Sequence, residues 1–144
     1  MNNILVLCIG NICRSPMAEG LLRHALSGRT VHSAGLGALV GHPAEPFSVQ
    51  IMQEQGIDIS SHRARSLTAS MVSEADLILT MDLAQKRHVE SQYVASKGKV
   101  FRLGEFKKYD IADPYRQSIV EFRKSYQLIA DGVEDILKRL AHMS

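Results

Sequence analysis

Residues 8–15 read Cys-Ile-Gly-Asn-Ile-Cys-Arg-Ser, between the apolar run Ile4-Leu5-Val6-Leu7 and the stretch Pro16-Met17-Ala18-Glu19. The apolar run has the length and branching of a buried strand, and proline suits the first position of a helix. The octapeptide is therefore the loop of a strand–loop–helix unit. Such a loop aims several backbone N–H groups and the positive end of a helix dipole at one small volume, which suits a doubly charged oxyanion. Gly10 and Asn11 tolerate the positive φ that a tight loop demands. Cys8 stands where that positive field favours its thiolate, the nucleophilic form. Arg14 closes the loop with a planar fork able to hold two oxygens of one anion. Read as structure alone, Cys8 is a small buried hydrophobe and Arg14 a solvated cation, but this leaves the spacing and the Gly10-Asn11 pair without a reason.

The rest of the chain alternates strand and helix. Strands are expected near Ile4–Leu7, Thr30–Ser33, Ala75–Thr80 and Lys99–Leu103, which predicts a four-stranded parallel sheet, doubly wound with helices on both faces. Helices are indicated by Met17, Leu21, Leu22 and Ala25, by Phe47, Ile51 and Met52 ending at Gly56, and by an Asp82 cap before Leu83. Ile119, Phe122, Tyr126, Ile129, Val133, Ile136 and Leu140 recur every three or four positions, the buried stripe of a long last helix. Ligands of doubly wound sheets lie beyond the carboxyl ends of the strands, where the loop at Cys8 falls.

The 144 residues suffice for one domain spanning 1–144, and no stretch reads as a linker. With 17 Lys and Arg against 15 Asp and Glu, the net charge of +2 gives no reason to expect a nucleic-acid partner. No apolar segment is long enough for membrane insertion, and the N-terminus lacks the pattern of a signal peptide, so a cytoplasmic protein with reduced thiols is expected. The two cysteines, both in the loop, make neither a disulfide framework nor a metal site; no metal and no cofactor is expected. A proton donor for a departing oxygen is sought in a loop on the same side of the sheet. The segment Asp110-Ile111-Ala112-Asp113-Pro114-Tyr115 offers Asp113, aimed by Pro114, with Asp110 as its competitor on spacing alone.

The run Cys8-Ile9-Gly10-Asn11-Ile12-Cys13-Arg14-Ser15-Pro16 resembles the opening motif of the low-molecular-weight protein tyrosine phosphatases, and Asp113-Pro114-Tyr115 resembles their late Asp-Pro-Tyr. The resemblance covers nearly the whole chain. It implies a three-layer, flavodoxin-like α/β sandwich, the low-molecular-weight phosphatase fold. It also implies a double displacement: Cys8 attacks phosphorus, Asp113 protonates the phenol, and water hydrolyses the phosphocysteine. Residues 9–15 (Ile9, Gly10, Asn11, Ile12, Cys13, Arg14, Ser15) would hold the phosphate, and the resemblance, not any spacing argument, favours Asp113 over Asp110. It further implies that His62 holds Asn11 in its strained conformation, and that Leu39, Val40 and Tyr115 wall a cleft for the phosphotyrosine ring. Ser15 would bond the Cys8 sulfur, or cap the helix, or both. Cys13 is expected as a redox partner that traps oxidised Cys8 as a disulfide.

Ser33 to Gly41 together with Asp113 to Arg116 looks similar to bacterial members paired with autophosphorylating tyrosine kinases of capsule and exopolysaccharide export. The implied partner is a phosphotyrosine protein, such as a membrane kinase's cytoplasmic tail, and the phosphatase is expected to be a monomer. Arg116 either greets an acidic tail or is an exposed cation at a helix start. Phosphoarginine hydrolysis is the alternative, disfavoured because related enzymes of that type carry threonine where this chain has Ile12. Arsenate reduction would need cysteines after Cys13, and the chain has none. A silent phosphoprotein binder would most simply lack the nucleophile or the acid.

Overall fold

The computed structural model describes residues 1–143. Four parallel strands, β1 (Asn3–Cys8), β2 (Thr30–Gly35), β3 (Leu77–Thr80) and β4 (Val100–Arg102), lie in the order β2-β1-β3-β4. The register runs Ile4 opposite Val31 and Leu77, and Ile78 opposite Val100. Because side chains alternate along a strand, β1 divides its residues between two cores. Ile4, Val6 and Cys8 pack with Met17, Leu22, Ile129 and Val133 on one face, while Leu5 and Leu7 pack with Val72 and Val89 on the other. A strand buried on both faces reads as an unbroken apolar run, as Ile4 to Leu7 does.

The first face is covered by α1 (Arg14–Ala25), α2 (Pro46–Glu54) and α5 (Ile119–Met143), the second by α3 (Ala69–Glu74) and α4 (Leu83–Gln92). The doubly wound parallel sheet expected from the strand–helix alternation and the three-layer sandwich implied by the resemblance are the observed architecture. Helix α5 buries Phe122, Ile129, Val133, Ile136 and Leu140 of its stripe, with Ile119 and Tyr126 at its margin. Gly132 lets it approach the sheet closely, since a Cβ there would lie 2.7 Å from the Leu103 carbonyl oxygen. Asp82 caps α4, its carboxylate accepting from the Gln85 N–H at 2.7 Å. Among the described residues no helix is long and apolar enough to cross a membrane.

The strand expected over 75–80 begins two residues later, because the Ala75 N–H still closes α3 onto Met71. Helix α1 begins at Arg14, so Pro16 is its third residue and not its first. Its missing N–H falls among the four that a helix start leaves unpaired in any case, so proline costs nothing there. Ser15 is likewise inside the helix, and the cap position belongs to Cys13, whose side chain makes no capping bond. The alternative of Ser15 as a cap is thereby removed. Since β1 has neighbours on both sides, the chain leaves it toward opposite edges of the sheet, and the loop from Cys8 into α1 lies at this switch point.

Candidate active site

Six consecutive carbonyls of the loop are engaged from outside it. Those of Cys8, Ile9 and Gly10 accept from the N–H groups of Leu36, Gly37 and Leu39 at 2.9, 2.9 and 3.0 Å. The Asn11 carbonyl takes His62 Nε2 at 2.6 Å, that of Ile12 takes the Glu45 N–H at 2.8 Å, and that of Cys13 takes Ser48 Oγ at 3.2 Å. In a trans peptide the C=O of one residue and the N–H of the next point in opposite directions, and no peptide here is cis. The amides of residues 9–14 therefore turn away from these surrounding partners and into the loop, a concave array of donors.

Asn11 adopts φ 59° within this array, a left-handed conformation that a non-glycine residue holds only when its surroundings insist. Its buried amide supplies the insistence. Nδ2 donates to Ser15 Oγ at 2.7 Å and to Ser33 Oγ at 3.0 Å, and Oδ1 accepts from the Arg65 N–H at 3.0 Å. Ser33 Oγ donates onward to Glu19 Oε1 at 2.6 Å, and Glu19 pairs with Arg23 at 2.8 Å and lies 3.7 Å from His62 Nδ1. His62, singled out in the sequence, meets Asn11, as does Ser15. Ser33, Glu19 and Arg65 were not singled out. The only sequence trace of Glu19 is the ladder Ser15, Glu19, Arg23, three polar residues spaced four apart on one helix face.

Cys8 Sγ ends β1 and lies 2.9 Å from Ser15 Oγ. Ser15 Oγ accepts from Asn11 Nδ2 and keeps its own proton, so when Cys8 is a thiolate the hydroxyl is the donor of this pair. Arg14 is 3% exposed and its Nη1 donates to the Ile111 carbonyl at 2.7 Å, so one arm of the expected fork is an anchor. Among the described residues its Nε has no partner, and its Nη2 lies 3.7 Å from Asp113 Oδ2, which leaves the Nε–Nη2 edge for an anion. Asp113 is further held by the Tyr115 N–H, which Oδ1 accepts at 3.1 Å. Asp110 is committed elsewhere, to Arg102 at 3.0 Å and the Leu83 N–H at 3.2 Å.

These groups meet in a cavity of about 150 Å³ lined by Cys8, Ile9, Ile12, Arg14, Asp113 and Tyr115 among others. Gly10, Cys13 and Leu39 also line it; Val40 does not, and its side chain is exposed. Arg116 is not at a helix start: it occupies a turn at φ 65°, with its guanidinium 5.3 Å from the Tyr115 ring centroid. Both cysteines are free and buried. Burial, reinforced by the negative charges of Asp113, Cys8 and Glu45, pushes the Cys13 thiol far above the usual cysteine range, Arg14 opposing only weakly.

A thiol beside a hydroxyl at the floor of an amide ring, an anchored guanidinium and a carboxylate at the mouth suit attack on a phosphoryl group. The family model described as low molecular weight phosphotyrosine protein phosphatase matches residues 3–144. A Ralstonia nicotianae protein named "Probable low molecular weight protein-tyrosine-phosphatase EpsP" is 54% identical over 140 residues, 97% of each chain. The structure of Vibrio vulnificus Wzb in complex with benzylphosphonate superposes with a TM-score of 0.92 at 37% identity, covering 96% of this chain and 98% of that one. The YwlE arginine phosphatase from Geobacillus stearothermophilus also has a TM-score of 0.92, at 31% identity over 99% of this chain and 95% of its own. The chain belongs to the low molecular weight phosphotyrosine protein phosphatase family.

Proposed function

We propose that the protein hydrolyses phosphotyrosine through a phosphocysteine on Cys8, with Asp113 as acid and then base, and that its substrate is a bacterial tyrosine kinase of exopolysaccharide or capsule production. The Cys8 thiolate attacks phosphorus in line while Asp113 gives its proton to the departing phenol oxygen, so the P–O bond breaks as the S–P bond forms. Water, deprotonated by the ionised Asp113, then displaces the sulfur and releases inorganic phosphate. The amides of residues 9–14 and the Nε–Nη2 edge of Arg14 hold the three non-bridging oxygens through both steps. Ser15 stabilises the sulfur as it leaves. When peroxide has oxidised Cys8 to the sulfenic acid, the Cys13 thiolate attacks its sulfur, the oxygen leaves as water, and a disulfide that thiols can reduce is formed.

The observation that carries this reading is the Cys8 sulfur bonded to Ser15 at the base of the inward-turned amides, next to the unpartnered Nε of Arg14. The kinase substrate rests on the likeness to EpsP and Wzb and on the motif resemblance. Phosphoarginine is the second reading, favoured by the YwlE match. Against it stands Ile12, an apolar wall of the cavity in place of the threonine expected for that chemistry.

Rapid quench of the enzyme during turnover of a phosphotyrosine peptide should trap phosphate on Cys8, and Cys8→Ser should bind phosphate without turnover. Phosphoserine and phosphoarginine peptides should react slowly or not at all. Turnover with no phosphate on the sulfur, or a preference for phosphoarginine, would reject the assignment.

A further inference from the structure

Beside the catalytic cavity lies a second and larger cleft of about 750 Å³ that the chemistry above leaves unused. Ile9, Arg14, Gly37 and Asp113 line both, so a single layer of side chains separates them. One wall of the larger cleft is apolar, with the 44%-exposed Ile9, the half-buried Leu36 and the exposed Ala84. The other gathers at the first turn of α4. Asp82 caps that turn through the Gln85 N–H, Asp110 accepts the Leu83 N–H, and Gln85 Oε1 accepts the Met81 N–H.

Two features of this wall are unmet within the chain. Gln85 is only 3% exposed, yet its Nε2 has no hydrogen-bond partner among the described residues, a buried donor that needs an acceptor from outside. The carboxylates also outnumber the cations. Arg102 is shared between Asp110 at 3.0 Å and Glu105 at 3.7 Å, and among the described residues no cation pairs with Asp82. Arg14 also lines the cleft, but its charge is met by Asp113 at 3.7 Å and its Nη1 by the Ile111 carbonyl, and His88, exposed at the rim, is the other basic group of the lining.

Resting on the tyrosine phosphatase reading, we infer that this cleft is a substrate subsite for a lysine or arginine within two residues of the phosphotyrosine. The aliphatic stem of such a residue lies on Ile9, Leu36 and Ala84 while its charged head meets Asp82 and Asp110, the usual division of a long basic side chain between apolar and polar surroundings. The peptide's own backbone carbonyl supplies the acceptor that Gln85 Nε2 lacks. An extended peptide advances about 3.3 Å per residue, so a neighbour within two positions reaches across the one intervening layer. The substrate is thereby read on both sides of Ile9, the phosphate on one and a basic residue on the other.

The test is an arginine scan through positions −2, −1, +1 and +2 of an otherwise alanine phosphotyrosine peptide, with glutamate in parallel, at low and high salt. At one of these positions arginine should raise kcat/KM about threefold to tenfold over alanine and glutamate should lower it, with both effects shrinking as salt screens them. The arginine-to-alanine ratio should fall toward one in Asp82→Asn, which keeps the cap oxygen, and in Asp110→Asn. Taking the ratio within each variant cancels any general loss of activity. Hydrolysis of the alanine peptide with no arginine preference at any position would overturn the subsite and leave the phosphatase reading standing. So would an arginine preference that survives in the double variant. Failure to hydrolyse any phosphotyrosine peptide would overturn both.

Discussion

Asp113 keeps 45% of its side chain in solvent, and its carboxylate is held by Arg14 and the Tyr115 N–H, so water reaches the carboxyl between turnovers. Its loss should therefore be felt at the leaving group. Asp113→Ala should cut kcat on phosphotyrosine peptides by roughly 10²–10⁴-fold, the usual worth of a positioned acid, and cut it far less on p-nitrophenyl phosphate, whose phenolate leaves unaided. A plot of kcat against leaving-group pKa checks this, and equal losses on both substrates would reject the role. At Cys13, burial and surrounding negative charge hold the proton on the thiol, yet only its thiolate can attack oxidised Cys8. Disulfide capture after peroxide treatment should thus accelerate about tenfold per pH unit between pH 7 and 9, because the thiolate fraction grows in that proportion below the pKa. Stopped-flow mass spectrometry would read the rate. In Cys13→Ala, prolonged peroxide should carry Cys8 past the sulfenic to the sulfinic acid, and the inactivation should then no longer be reversed by added thiol.

The loop between β1 and α1 is shaped by its neighbours as much as by its own residues. Gly35, the last residue of β2, shows how closely they approach: a Cβ there would stand 2.5 Å from the Ile9 carbonyl oxygen and 2.9 Å from the Ala38 Cβ. Gly35→Ala should push the loop off its outer partners, lowering stability by about 1–3 kcal/mol and weakening phosphate binding together. Thermal melts with and without phosphate would measure both, and an unchanged phosphate-induced shift would show that the loop had not moved. Elements with a long repeat were legible: β1 through its apolar run, α4 through Asp82, α5 through its stripe. Helix α3 left little trace, because its six residues bury only Val72 and make too short a pattern to read. The two extra residues at the start of α1 were hidden because that turn is held by contacts from Ile111 and Asn11, not by a capping side chain.

Across the whole molecule, α5 is joined to the loop that carries the acid. Tyr109 donates its hydroxyl to the Leu128 carbonyl at 2.6 Å, and Ser125 Oγ donates to the Ala112 carbonyl at 2.9 Å. Burial, helped by Asp131 and Asp135, pushes the Tyr109 phenol up to about 12. A phenol harder to ionise in the folded state than in the unfolded chain stabilises the fold below pH 10, and that contribution is lost as pH rises from about 10 toward 12. Tyr109→Phe should cost about 1 kcal/mol at neutral pH and flatten the decline in stability over that alkaline range. Urea titrations from pH 7 to 12 would check it; an unaltered alkaline slope would show that Tyr109 is not the group responsible.

By itself the amino-acid order determined the strand–loop–helix at Cys8, the cysteine-to-arginine spacing, the parallel sheet and the long closing helix, because each rests on backbone preferences and periodicities confined to a few adjacent residues. Only the tertiary structure decided which arm of Arg14 is free, since its anchor Ile111 lies 97 positions away. In the same way it fixed how Asn11 is clamped by Ser33 and Arg65, and it turned Asp110 toward Arg102 while leaving Asp113 at the cavity. These are hydrogen bonds and ion pairs between segments brought together by packing of the two cores. No local pattern records such a distance, and a buried polar group finds its partner only once the chain has closed around it.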